Sequence, residues 1–268
     1  MNSVRIWRLA SDTLAGLVFL LLILPMLVVI VFSFSERSFF TVPPSGFSLR
    51  WYKAAWESGL FLMPALRSLA LALLSTALAA LISVPAALAL RRMRPGRLRG
   101  MLEFAFLSPL IVPALIVGIA LLYAYNRLGI LDTFGGLVAA HTLIVFPFML
   151  RSVLTSVLSL KEELLEASEI LGATPAHTLR HVILPGIVPG IVAGAIFSVI
   201  VSLDQFTVSL FVTQTDQMVL PVAIYKYLFD VNDPVAAAVS TVLVLLGLLT
   251  AFVIDRLGWL RHLSGTGG

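Results

Sequence analysis

Few residues in this chain have types and spacing that could do chemistry. His177 and His181 stand four apart in "TPAHTLRHVILPG", the spacing at which two imidazoles on one helix face bind a metal. Thr178 stands where a zinc hydrolase carries its Glu, and no third ligand is near in sequence. The expectation for this pair is partner contact or solvation, with no metal site. Asp204, in "VSLDQFTVSL", is a carboxylate inside an apolar run. A charge at membrane depth costs roughly 2.5–3.5 kcal/mol on insertion scales, so it must face a cavity or a partner rather than lipid. Two readings stay open: Asp204 pairs with another helix through Arg67 or a tyrosine, or, with Gln205 beside it, it lines a path for a cationic solute. His141 is a lone polar residue for which a helix–helix hydrogen bond is weighed against a substrate role. The three lysines, at 53, 161 and 226, never follow a glycine, so the Gly-Lys-Ser/Thr phosphate loop is absent. With no cysteine, thiolate and disulfide chemistry are excluded as well. The chain offers no catalytic constellation.

The elements that must position these residues are membrane helices. Of 268 residues 59% are hydrophobic and only 12% charged, against about 25% charged in an ordinary soluble domain. Apolar runs at about 13–35, 68–90, 104–126, 133–158, 187–212 and 235–254 read as six transmembrane helices. Together they nearly exhaust the chain, which predicts an all-α membrane protein with one domain over 1–268. The first run follows Arg5 and Arg8, is too long for a secretory signal and is followed by no small-residue cleavage site. It reads as a retained anchor. The arginines from Arg91 to Arg99, with Arg5, Arg8, Arg151, Lys161, Arg180, Arg256 and Arg261, fall on one side of this topology. Arg37, Arg50, Lys53, Arg67, Arg127 and Lys226 fall on the other. The richer side is cytoplasmic, and so are both termini. The net charge of +4 therefore reflects topology and not nucleic-acid binding. Aromatic residues beside charges in "FSLRWYKAAW" suit a segment at the membrane interface, and 213–234 is long enough to dip partway back.

The polar stretch 159–186 joins the fourth and fifth helices on the cytoplasmic side. Ser159 and Glu162 fit a capping box. The helix after them sets Glu162, Glu166 and Glu169 on one face and Leu164, Ala167 and Leu171 on the other. Gly172 is a natural stop, and Thr174-Pro175 restarts a helix that carries Leu179, Val182 and Ile183 and ends before Pro185. The product is a helix–turn–helix elbow, either a shield for helix ends or a docking surface for a soluble partner.

"EASEILGATPAHTLRHVILPGIVP" resembles the signature loop of binding-protein-dependent ABC importer permeases: Glu-Ala-Ala, then a Gly, then Ile-x-Leu-Pro. Glu166, Ala167, Gly172, Ala173, Leu184, Pro185 and Pro189 match; Ser168, Leu171, Leu179 and Val182 depart from the common pattern conservatively. "LSPLIVPALIVGIALL", "SLDQFTVSLFVT" and "LPVAIYKYLFDVNDPVAAAVST" are similar to the polyamine-type branch, and recur in relatives that carry other small solutes such as aminophosphonates. The resemblance implies a type I ABC importer fold in a bacterial inner membrane. It implies a second permease, two copies of a cytoplasmic ATPase holding ATP and Mg, and an extracytoplasmic substrate-binding protein. It implies no cofactor on this chain. The segment Glu166-Ala167-Ser168, with Gly172, Ala173, Leu184 and Pro185, would couple to the ATPase. Gly186, Gly190 and Gly194 form a double G-x-x-x-G for close helix packing, expected at the permease–permease interface. An ion-coupled carrier would explain Asp204 but not the elbow. A membrane enzyme would need a denser cluster of His, Asp or Glu.

Overall fold

The computed structural model describes residues 2–39, 46–231 and 233–256, and every element longer than an isolated bridge among them is helical. Arg261 of the topology argument lies outside the described residues. The chain forms two compact units.

In the first unit α1 (Asn2–Ser33) packs on α12 (Val235–Arg256), and α12 packs on the short α2 (Arg50–Glu57). The apolar window of α1, within Ser11–Ser33, has no residue buried inside the protein, as expected of a helix that meets lipid. The turn after α1 is pinned to α2: Trp51 Nε1 donates to the Ser35 carbonyl at 2.6 Å, and the Ser33 and Tyr52 hydroxyls lie 2.6 Å apart. The interfacial reading of "FSLRWYKAAW" thus divides within one helix, with Trp51 buried and Trp56 exposed.

The second unit holds α3 (Leu62–Arg92), α4 (Arg97–Leu107), α5 (Ala114–Leu128), α6 (Phe134–Ser159), α7 (Glu162–Ile170), α8 (Pro175–Thr178), α9 (Leu184–Asp204) and α10 (Phe206–Val212). α11 (Leu220–Asp230) starts there and runs into the first unit. The most extensive pairing is α6 with α9. α3 buries a stripe of small residues (Ser68, Ala72, Ser75, Ala79, Ser83 and Ala87) at helical spacing, the composition that lets membrane helices approach closely. One core cluster gathers Leu71, Leu137, Val208, Val212 and Val222; a second gathers Val145, Met149, Val153, Val157, Ile183 and Ile187.

Helices form over all six expected runs, with three departures from six straight spans. Among the described residues, α1, α3, α6 and the run Pro175–Asp204 are each long and apolar enough to cross a bilayer. The third run is not straight: Arg97–Leu110 and Ala114–Leu128 meet at 94° and would make a fifth span only as a bent pair. Pro113 is extended there (φ −55°, ψ 133°), and a proline at such a junction removes a helical donor. The fifth run breaks between Asp204 and Phe206, where Gln205 leaves helical geometry at ψ 80°. The last run forms α12, whose apolar stretch, Val235–Leu249, is shorter than a full span. The segment expected to dip back contains α11, 11 residues long.

Candidate functional site

The elbow between α6 and α9 is built differently from its sequence pattern at three points. Ser159 is the last residue of α6 and its hydroxyl donates back to the Ser156 carbonyl at 2.9 Å. α7 begins after Lys161 with no side-chain cap, so the capping box does not form. The expected apolar face is turned outward: Leu164, Ala167 and Leu171 are exposed, and Ile170 and Leu171 at the tip are 85% and 86% exposed. The buried side is instead Leu165 and Ser168, with Ile183 and Leu184 from the returning segment. Finally, the second helix does not end before Pro185. α8 widens into a π-helical turn over Leu179–Ile183 and continues directly into α9. The widened turn gives room to a proline ring that would otherwise meet the carbonyl one turn earlier.

The bend itself follows the sequence. Gly172 is left-handed at φ +76°. Its N–H reaches the Glu169 carbonyl at 2.9 Å, and the Ala173 N–H reaches the Ser168 carbonyl at 3.1 Å. This paired pattern closes a helix on an αL glycine. Thr174 then caps α8, its hydroxyl accepting from the His177 N–H at 3.3 Å. Ser168 is not on the exposed surface: its hydroxyl lies 2.8 Å from that of Thr178, inside the bend. Glu166, Ala167 and Gly172 are exposed, Ala173 and Leu184 partly buried, Pro185 exposed. His177 and His181 stack with ring centroids 4.0 Å apart, and His181 Nδ1 faces the His177 carbonyl at 3.1 Å.

Arg91, which the sequence placed only in a topology-setting run, holds the elbow's base. Its guanidinium donates to the carbonyls of Val157 at 2.8 Å and Leu160 at 3.2 Å, with Glu162 at 3.8 Å. These carbonyls end α6 and lack helical donors. No local signal distinguishes Arg91 from the other arginines of its run. The three glycines of α9 face α6 of the same chain, which corrects the expected interface with a second permease. A Cβ on Gly186 would meet the Leu160 side chain, one on Gly190 the Ser156 side chain and Ser152 carbonyl, one on Gly194 Met149. Beside this contact lies a groove of about 650 Å³ lined by Arg151, Ser152, Thr155 and Ser156 from α6 and by Pro189 and Ala193 from α9.

At the far end of α9, Asp204 is exposed and no hydrogen bond or ion pair holds it among the described residues; no pairing with Arg67 occurs. Gln205, its neighbour, is partly buried at the helix break. His141 is buried and bridges two serines: Nδ1 lies 2.8 Å from the Ser202 hydroxyl and Nε2 lies 2.9 Å from that of Ser209. This is the helix–helix hydrogen bond weighed above, here made twice. Nearby, Asp132 accepts from the backbone N–H groups of Gln214, Thr215, Asp216 and Gln217 at 2.9–3.3 Å. It ties the α5–α6 loop to the loop after α10.

Residues 79–258 match the family model described as binding-protein-dependent transport system inner membrane component. The chain is 33% identical over 247 residues to the spermidine/putrescine transport system permease protein PotC of Escherichia coli, covering 91% of this chain and 92% of that protein. It is 28% identical over 262 residues to PhnV of Salmonella choleraesuis, a permease protein named for 2-aminoethylphosphonate transport, covering 94% and 96%. Its fold is shared with a chain of a bacterial ABC transporter involved in the import of the acidic polysaccharide alginate, at TM-score 0.75 and 17% identity over 96% of this chain and 98% of that one. A chain of the MetNI methionine ABC transporter in an inward-facing conformation superposes at TM-score 0.60 and 22% identity, over 77% and 97%.

Proposed function

The chain belongs to the family of binding-protein-dependent transport system inner membrane components, and from that premise we propose that it forms half of the translocation pathway for a small polyamine. The permease acts in an ABC importer. In this reading it pairs with a second permease, docks two copies of a cytoplasmic ATPase that hold ATP and Mg, and receives cargo from an extracytoplasmic binding protein. The elbow is the handle: ATP-driven closure of the ATPases moves α7, and the pull passes through Ser168–Thr178 and the continuous helix into α9. A rigid attachment suits this task, and the exposed tip of Ile170 and Leu171 beside Glu166 suits a partner surface. In this reading both termini lie on the cytoplasmic side with the arginine run, and the contact of Arg91 with the elbow's base supports the run and the elbow sharing that side.

The observation that carries the cargo reading is Asp204, an exposed carboxylate with no side-chain partner among the described residues, at the C-terminal end of a broken helix. Unpaired carbonyls at a helix C-terminus carry partial negative charge, so a carboxylate there gains most from an arriving cation. The strong match to a spermidine/putrescine permease points the same way. An aminophosphonate would offer Asp204 the same ammonium group, and its phosphonate would need a cation at another stage of the path, such as Arg151 in the groove toward the opposite end of α9, which carries no ion pair among the described residues. The test is uptake into liposomes carrying the assembled transporter and its binding protein. Asp204→Asn raises the KM for putrescine or spermidine about tenfold, and Arg151→Gln leaves it unchanged. Loss of 2-aminoethylphosphonate uptake in both variants, with no polyamine uptake in wild type, favours the aminophosphonate. Full polyamine uptake by Asp204→Asn removes Asp204 from the path.

A further inference from the structure

The break between α9 and α10 is bridged by one side chain from another helix. Ser202 lies two residues before Asp204 and Ser209 lies four after Gln205; both hydroxyls meet the ring of His141 on α6. Hydrogen-bond accounting gives the bridge a direction. The single Ser209 proton is donated to the Gln205 carbonyl at 2.5 Å, so Ser209 accepts from His141 Nε2–H. The neutral ring then presents Nδ1 as acceptor, and the Ser202 hydroxyl donates to it. Ser75 on α3 stands 3.4 Å from Ser202; with the Ser202 proton committed to His141, Ser75 is the only donor for that contact, shared with the Ala72 carbonyl at 3.3 Å. Every member is buried, and partly satisfied polar networks at such depth are costly.

Distance makes the bridge selective for a bent chain. One imidazole with a hydrogen bond at each nitrogen spans about 8 Å between hydroxyl oxygens at most. Seven residues of uninterrupted helix advance about 10.5 Å. An unwound residue lengthens a straight path, so the two hydroxyls reach one ring only if the chain changes direction at Gln205, which leaves helical geometry at ψ 80°. A hydroxyl bonded back to the carbonyl four residues earlier, as in Ser209, also favours a bend.

We infer that His141 is a positioning residue: it clamps Ser202 and Ser209 across the break, and the clamp keeps the fifth span unwound at Gln205 so that Asp204 stays turned outward. Its value for transport rests on the reading that Asp204 lines the path. Because the chain has no native cysteine, one introduced at Asp204 is its single thiol, and label read on this chain after separation from its partners reports that exposure. In the assembled transporter, His141→Leu lowers the rate at which Asp204→Cys reacts with a charged maleimide about fivefold. His141→Gln, which can both donate and accept, keeps at least half the rate. On the chain that retains Asp204, His141→Leu raises the KM for cargo with kcat held. Labelling of the His141→Leu protein at the unmodified rate overturns the clamp. If that variant fails to assemble, Ser209→Ala replaces it, with a two- to threefold fall expected and an unchanged rate again overturning the clamp. Slowed labelling with an unmoved KM upholds the clamp and fails the path reading instead, so the two are separable.

Discussion

The carboxylate of Asp132 accepts four consecutive backbone N–H groups from the loop after α10, groups a turn of this kind would otherwise leave to water. Burial works against ionisation at this loop position, but the four donors outweigh it and hold the carboxyl below its ordinary 3.8. A carboxyl lowered in the folded state contributes its stability above the unfolded value and loses it as pH falls through the folded one. Replacing Asp132 by Asn removes the charge but little volume, and the expected cost is about 1 kcal/mol near neutrality. Thermal unfolding in detergent checks this. The gap between wild type and Asp132→Asn should be constant above about pH 4 and close below it. A gap that widens on acidification contradicts the assignment.

At the scale of the element, α9 is a helix whose small face was made for one neighbour. Gly190 and Gly186 are four apart but not equivalent, since a Cβ at Gly190 would press on the Ser152 backbone carbonyl at 2.7 Å while one at Gly186 would meet only the end of the Leu160 side chain. Backbone cannot step aside as a side chain can. Gly190→Ala is therefore expected to cost about 1–3 kcal/mol, as overpacking usually does, and Gly186→Ala less. Unfolding of both variants in the same detergent ranks them; the reverse order would mean that α6 and α9 separate more easily than they pack here. α7 shows the opposite design, with Leu164, Ala167 and Ile170 outward and its one inward hydroxyl, Ser168, matched to Thr178 beside Leu165.

Within its unit the elbow's base is tied to α3 through Arg91, the elbow to itself through Ser168–Thr178, and to α9 through an unbroken helical path. Force applied at α7 has a stiff route to the helix that ends at Asp204. Glu166→Lys reverses charge on the exposed face of α7, and Gly172→Asp puts a side chain where φ is +76°, costing about 1–2 kcal/mol of backbone strain. Both variants are expected to insert and assemble normally yet lose most ATP-dependent uptake, with ATPase activity no longer stimulated by the loaded binding protein. Normal stimulated uptake in both would reject α7 as the coupling element. Uptake that persists without the ATPase would identify an ion-coupled carrier.

The sequence by itself determined the apolar runs, the αL glycine at 172 and the restart at Thr174-Pro175. Hydrophobic length and turn chemistry are local properties, written within a few residues of where they act. It also carried the family signature and the isolated charge at Asp204. Only the tertiary structure decided which way α7 faces, because an amphipathic pattern does not say whether its apolar side meets this chain or another. It decided that the glycine stripe meets α6 of the same chain. It drew Arg91 out of a run of equivalent arginines, and it joined His141 to two serines more than sixty residues away. Each of these depends on a contact between segments distant in sequence, and no periodicity within a single segment encodes its partner.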